Sequence, residues 1–132
     1  MRILNVFLTF FSLFTNAWAE NTTTPVLQIV AFKGGTLNLR AENITEVNVQ
    51  PVARSQEIEV NIRMDAEYRD AFRKLSIESR NLLVIVLVCG EEVFRPVILE
   101  PIISGRIYVG QFSKERASET VDLLSGRRSC GE

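Results

Sequence analysis

The residues of this sequence form few combinations that could catalyse a reaction or hold a metal. The chain has no histidine, and its two cysteines, Cys89 and Cys130, are far apart in the sequence. Without histidine, a serine or cysteine nucleophile lacks its usual base, and a histidine-based metal site is excluded. The adjacent carboxylates Glu91 and Glu92 fall in a predicted turn, where neighbouring side chains point in different directions. The sequence also lacks a glycine-rich phosphate loop. We therefore expect no enzymatic activity, no cofactor and no metal.

The first 19 residues have the pattern of an export signal. They read MRILNVFLTFFSLFTNAWA, with one basic residue, an apolar stretch and the small residues Ala17 and Ala19 on either side of Trp18. This order predicts a signal peptide over residues 1–19, cleaved between Ala19 and Glu20. An uncleaved membrane anchor is the alternative, although spanning a bilayer takes about 20 apolar residues. After cleavage we expect no membrane insertion and a periplasmic or secreted protein.

Export sets the expectation for the two cysteines. Proteins outside the cytoplasm meet oxidising conditions, under which thiols pair. A disulfide between Cys89 and Cys130 would hold the C-terminal tail, residues 127–132, close to a turn at Gly90. The alternative is a pair of unrelated thiols, one buried and one on a loose tail.

The composition is that of one ordinary soluble domain. Of 132 residues, 46% are hydrophobic and 23% are charged, and the formal net charge is −1. This balance gives no reason to expect a nucleic-acid partner. We predict a flexible leader over residues 20–25 and a single domain over residues 26–126.

Hydrophobic periodicity predicts seven strands. The clearest signal is EIEVNIRM (57–64), in which apolar and polar residues alternate strictly, so that one sheet face is buried and the other is solvated. Residues 45–52 alternate in the same way and should form a hairpin with it. LLVIVLVC (82–89) is apolar throughout, as expected of a central strand covered on both faces. The other predicted strands are 26–33, 36–40, 93–99 and 106–110.

Two amphipathic helices complete the predicted order. Asp65 can cap the first helix, which should run to about Arg80, and Ser113 can cap the second, which should stop at Gly126. Their apolar stripes consist of Tyr68, Phe72 and Leu75 in the first and Ala117, Val121 and Leu124 in the second. The order ββ-ββ-α-βββ-α predicts an α+β fold with a mostly antiparallel sheet and both helices packed on one face.

One segment, RPVILEP (95–101), has the character of a sheet edge. Proline has no amide donor and therefore belongs on an edge strand or at an irregularity. An exposed edge can add an extended peptide by backbone hydrogen bonds, whereas prolines can also simply protect an edge from aggregation. Both interpretations stay open. The residues predicted as a possible partner-contact edge are Arg95, Pro96, Val97, Glu100 and Pro101.

The succession of motifs resembles the periplasmic head subdomain of the SecD/SecDF family of protein-export membrane proteins. The resemblance extends from about Leu39 to Gly126 and rests on order and spacing rather than on one element. Its points of contact are Asp65-Ala66-Glu67, Phe72, the Gly90 turn, Pro96-Val97-Ile98, Glu100-Pro101-Ile102, Gly105, Gly110-Gln111-Phe112, Ala117, Leu123-Leu124 and Ser125-Gly126. The resemblance implies the head fold and, more loosely, contact with exported polypeptide.

This sequence departs from the family at several points. Cys89 stands where the family turn usually carries aspartate or asparagine, Cys130 lies beyond the family's end, and Arg95 occupies a place that is usually small. The family's transmembrane helices and base subdomain have no counterpart here, so the proton-driven activity is not implied. Fold analogy alone does not establish function.

The sequence therefore favours a non-enzymatic exported module that binds a peptide or protein partner in the cell envelope. The alternative is an accessory or structural subunit that docks on a larger envelope complex. The identity of the partner and the oligomeric state are not indicated by the sequence.

Overall fold

The computed structural model describes residues 24–131. The predicted signal peptide, its cleavage site at Ala19 and Glu20, and most of the predicted leader lie outside the described residues.

The elements follow the predicted order and confirm the α+β class. The strands are β1 (Leu27–Ala31), β2 (Thr36–Leu39), β3 (Ile44–Pro51), β4 (Ile58–Met64), β5 (Val84–Val88), β6 (Glu91–Phe94) and β7 (Arg106–Phe112), and the helices are α1 (Ala66–Glu78) and α2 (Lys114–Leu124). A short 3-10 turn, Ala41–Asn43, precedes β3.

The described strands form two antiparallel sheets, where the sequence suggested one. Sheet A has the strand order β2-β1-β5-β6, and sheet B has the order β3-β4-β7. The sheets separate between β6 and β7, because residues 95–105 contain two prolines and form no regular strand. The two strands still meet through side chains: the rings of Phe94 and Tyr108 pack edge to face with centroids 4.7 Å apart.

Side-chain caps determine where the helices begin. The Oδ1 atom of Asp65 accepts a hydrogen bond from the Tyr68 N–H at 2.9 Å, and the Ser113 hydroxyl accepts one from the Arg116 N–H at 3.3 Å. Each bond satisfies a donor that the first helical turn leaves unpaired. The first helix ends at Glu78, slightly before the predicted end, and Asn81 then adopts a left-handed φ of 65°.

The core lies between the sheets and the helices. Helix α1 packs against β2 and β4, and α2 packs against β3, β4 and β7. The helices bury Phe72 and Leu75 from α1, and Ala117 and Leu124 from α2. In β5 only alternate residues are fully buried, while Ile85 and Leu87 are half-buried, so its second face is only partly covered.

The predicted hairpin of β3 and β4 is present. Val47 lies opposite Ile62, and Asn48 opposite Asn61. Just beyond the strands, the Val52 N–H donates to the Glu57 carbonyl at 3.1 Å. Because bonded and non-bonded pairs alternate along an antiparallel ladder, this bond determines which residues of β3 direct their backbone groups toward β4. The hairpin buries Val60 and Ile62 and leaves the polar residues of both strands on the outer face of sheet B.

Candidate functional site

The predicted disulfide is present. Cys89 and Cys130 are bonded, and their Cα atoms are 5.4 Å apart. Two ion pairs lie beside this bridge: Arg127 with Asp122 at 2.9 Å, and Arg128 with Glu119 at 3.4 Å. The C-terminal residues are therefore held to the turn after β5 by the covalent bond and to α2 by the two ion pairs.

Cys89 occupies an unusual backbone position. It forms the turn between β5 and β6 together with Gly90, and both residues have left-handed φ angles, 49° for Cys89 and 79° for Gly90. Val88 pairs with Glu91, so these are the two central residues of a tight hairpin turn. Turns with two left-handed residues favour Asn-Gly or Asp-Gly, because short polar side chains tolerate this conformation. The disulfide therefore comes at the cost of a less suitable turn residue.

The segment that joins the two sheets, residues 95–105, is anchored at both ends. Near its start, the Val84 N–H donates to the Pro96 carbonyl at 2.9 Å, and the Ile98 N–H donates to the Leu82 carbonyl at 3.0 Å. Further on, the Ile102 N–H donates to the Ser76 hydroxyl on α1 at 2.9 Å. This segment thus extends the edge of sheet A irregularly and then crosses α1.

A groove of about 290 Å³ lies between this segment and the first half of β7. Its walls are mainly apolar and aromatic and include Phe94, Pro96, Val97, Leu99, Ile102 and Tyr108. Val97 is 47% exposed and Leu99 is 68% exposed, and the adjacent Ile103 is also 68% exposed. Exposed apolar side chains that cluster around a concave surface are typical of an interaction site.

Two charged residues, Glu100 and Arg106, also line the groove beside Tyr108. Burial raises the pKa of the Tyr108 phenol, and the nearby carboxylates of Glu59 and Glu57 raise it further, against the opposing effect of a hydrogen bond with Gln111. The neutral phenol is therefore the stable form at physiological pH.

The backbone of β7 could extend the ladder into this groove. The Met64 N–H donates to the Gly105 carbonyl at 2.8 Å, and Ile62 lies opposite Ile107, so alternate residues of β7 bond to β4. The residues between them, Arg106 and Tyr108, turn their backbone polar groups away from β4. The Arg106 N–H reaches the Ser104 hydroxyl at 3.2 Å. Within residues 24–131, no strand pairs with this side of β7.

The structure brings together three of the five predicted contact residues: Pro96, Val97 and Glu100 line the groove. Arg95 does not, because its guanidinium makes two hydrogen bonds to the Glu92 carboxylate at 2.7 and 2.8 Å. These bonds lower the pKa of Glu92 and raise the pKa of Arg95. Pro101 is exposed and lies outside the groove lining.

Several groove residues were not identified from the sequence. Tyr108 alternates with buried residues in β7, a pattern that is also typical of an ordinary solvent-facing position. Leu99 and Ile102 lie in a stretch without period, where pattern alone does not separate buried from exposed side chains. The density of apolar residues in such a long irregular connection was the signal that could have marked them.

Residues 24–131 contain neither a cluster of metal ligands nor a membrane-spanning helix. This part of the chain contains no group of three or more acidic, cysteine or histidine side chains placed to hold a metal ion. None of its helices combines the length and the apolar character needed to cross a membrane.

The fold of this chain is similar to folds found in solved structures. No protein-family model matches the sequence, and no curated protein matches it. A structure of SecDF, described as a membrane component that enhances protein export, is similar with a TM-score of 0.56 and 13% identity, over 69% of this chain and 41% of that one. A crystal structure of SecDF in a super-membrane-facing form gives a TM-score of 0.57 and 13% identity, over 69% of this chain and 12% of that one. The chain therefore spans less than half of the SecDF chains it resembles. The resemblance expected from the sequence is confirmed at the level of the fold, which also occurs in SecDF.

Proposed function

We propose that this protein is a non-enzymatic module that binds an extended, apolar segment of another protein in the periplasm or cell envelope. The observation that carries the proposal is the groove, in which the exposed Val97 and Leu99 lie beside the edge of β7 that no strand within residues 24–131 pairs with. An extended chain placed there would gain backbone hydrogen bonds from β7, and its side chains would contact the apolar wall. Pro96 and Ile98 in the opposite wall direct backbone groups toward β5, and β7 is therefore the strand that aligns the ligand in this proposal.

Two findings support the proposed context. A disulfide is stable in oxidising compartments, so the bridge between Cys89 and Cys130 favours a location outside the cytosol. SecDF is described as enhancing protein export, and this chain shares its fold over 69% of its length. We therefore propose that the bound segments belong to exported proteins before they fold.

The proposal is tested with a fluorescent, reduced and carboxymethylated protein that cannot refold. Binding to the disulfide-bonded protein is followed by fluorescence anisotropy, and the key variant is Leu99→Lys. Removing a large apolar side chain from a buried contact costs about 1.5–3 kcal/mol, so the variant should bind about tenfold more weakly or worse.

The matched control is Phe32→Lys. Phe32 is 79% exposed in the loop between β1 and β2, outside the groove lining. This control loses an exposed apolar group and gains a charge, but it should bind like the parent protein. Equal loss of binding in both variants would mean that the groove is not the binding site.

The alternative function, an accessory subunit docked on a larger envelope complex, gives a different result in cells. A photoreactive residue at position 97 is crosslinked in the cell envelope, and the products are identified by mass spectrometry. Many unrelated exported proteins in unfolded form would support chain binding. One folded partner in fixed stoichiometry would favour the accessory subunit.

A further inference from the structure

A second surface, the outer edge of β3, lies on the opposite side of sheet B from the groove. The strand order of this sheet is β3-β4-β7, so β3 is an edge strand, and no other strand in residues 24–131 pairs with its outer side. Protein edges are usually protected by lysines, prolines or charges, because an unpaired edge is a template for another strand. This strand reads ITEVNVQP: it has no lysine, one charged residue, Glu46, and a proline only at its end.

The direction of the β3 backbone can be deduced from its hairpin. The Val52 N–H bonds to Glu57 across the loop, so Gln50 and Asn48 also direct their backbone groups toward β4. Val47 and Val49, which lie between them, direct theirs outward. The Val49 side chain is 55% exposed although it lies on the core face of the sheet, opposite the fully buried Val60. The edge thus combines outward backbone groups with an incompletely buried valine.

We propose that two copies of this chain associate through β3, as an antiparallel pair with its two-fold axis at Asn48. In this register Val47 of each copy lies opposite Val49 of the other, and their outward backbone groups form hydrogen-bonded pairs. Glu46 lies opposite Gln50, and Asn48 lies opposite its own counterpart, so apolar residues meet apolar ones and no like charges are opposed. The result is one continuous sheet of six strands with a two-fold axis.

The strand is therefore complementary to itself. A second copy is favoured over an unrelated peptide because its residues match this strand on both faces of the sheet. Its valines meet valines on one face, and on the other face no charged residue lies opposite Glu46. This interface consists of one strand pair and is small, so we expect the dimer to dissociate on dilution. It leaves both peptide-binding grooves open, and it does not depend on the proposed peptide binding.

The experiment is sedimentation velocity on the disulfide-bonded protein, from micromolar to millimolar concentration. The parent protein should show a reversible monomer–dimer equilibrium. Asn48→Lys and Asn48→Asp should each weaken association at least about tenfold, because like charges then face each other at the axis. An equimolar mixture of the two variants should restore association, since lysine then faces aspartate.

The control pair is Asn38→Lys and Asn38→Asp, on the exposed face of β2, which is the edge strand of the other sheet. These variants should associate like the parent. Asn48 is exposed, and far-UV circular dichroism verifies that its variants fold. If one of them does not, Val49→Lys, which places a charge opposite Val47 of the other copy, should weaken association in place of that variant, and the mixture is omitted. A parent protein that stays monomeric throughout, or a dimer that both Asn48 variants leave unchanged, would overturn the proposal, and so would failure of the mixture to associate.

Discussion

Replacing the disulfide separates two contributions of Cys89, the covalent link and the turn conformation. The bridge spans 41 positions, and closing a loop of that length stabilises the folded state by about 4 kcal/mol in the chain-entropy model. We therefore expect Cys89→Ser/Cys130→Ser to lose about 4 kcal/mol of unfolding free energy. For a domain of this size, that corresponds to a fall in melting temperature of roughly 15–25 °C.

The second double variant, Cys89→Asn/Cys130→Ser, also lacks the bridge but should lose less. The φ of 49° at position 89 is unfavourable for most residues by about 1–2 kcal/mol, and asparagine adopts it more readily than serine. The expected order of stability is the bridged protein, then the asparagine variant, then the serine variant, with about 1 kcal/mol between the last two.

The assay is equilibrium urea unfolding monitored by far-UV circular dichroism, with all three proteins at the same concentration. Linear extrapolation gives the three free energies of unfolding. A loss of less than about 1 kcal/mol on removing the bridge, well below the loop-closure value, would show that the covalent link does not stabilise the fold as expected. A serine variant at least as stable as the asparagine variant would show that the turn conformation at position 89 does not limit stability.

Two further predictions concern single residues. In a Tyr68→Phe background, Tyr108 is the remaining tyrosine of the chain's two, and its absorbance titration should have a midpoint above the ordinary value of about 10, because burial favours the neutral phenol. Because folding raises the pKa of Tyr108, the neutral phenol stabilises the folded state fully below the pKa of the unfolded chain, and this stabilisation disappears as the pH rises through the pKa of the folded protein. A titration midpoint at or below the ordinary value would contradict this. Asp65→Ala removes the cap from the Tyr68 N–H and a bond from the Asn43 side chain at 3.2 Å, so urea unfolding should show a loss of about 1–2 kcal/mol. An unchanged midpoint would mean that water replaces the cap.

Local patterns predicted the elements well because each depends on near neighbours. The alternation of 57–64 determines β4, and the cap at Asp65 determines where α1 begins. The disulfide was also predictable, since a chain with two cysteines has one possible intramolecular pair. In each case the deciding interaction either joins residues that are close in the sequence or is the one pairing available.

The groove was only partly predictable because its two walls come from different sheets. Pro96 and Val97 were identified because the segment 95–101 contains two prolines among apolar residues. Their position across the groove from Tyr108, however, depends on the break between β6 and β7. That break results from the path of residues 95–105 across α1, which is fixed by long-range contacts such as the bond between Ile102 and Ser76. No periodicity in the sequence reports such contacts.

We propose that an extended apolar chain binds between the 95–105 segment and β7. The most direct measurement is a ¹⁵N–¹H correlation spectrum of the disulfide-bonded protein, titrated with a short unstructured peptide of alternating valine and threonine. We expect the largest shifts at Val97, Leu99 and Tyr108, and we expect the Leu99→Lys variant to lose them. Shifts confined to the edge of β3, or spread evenly over the surface, would contradict it.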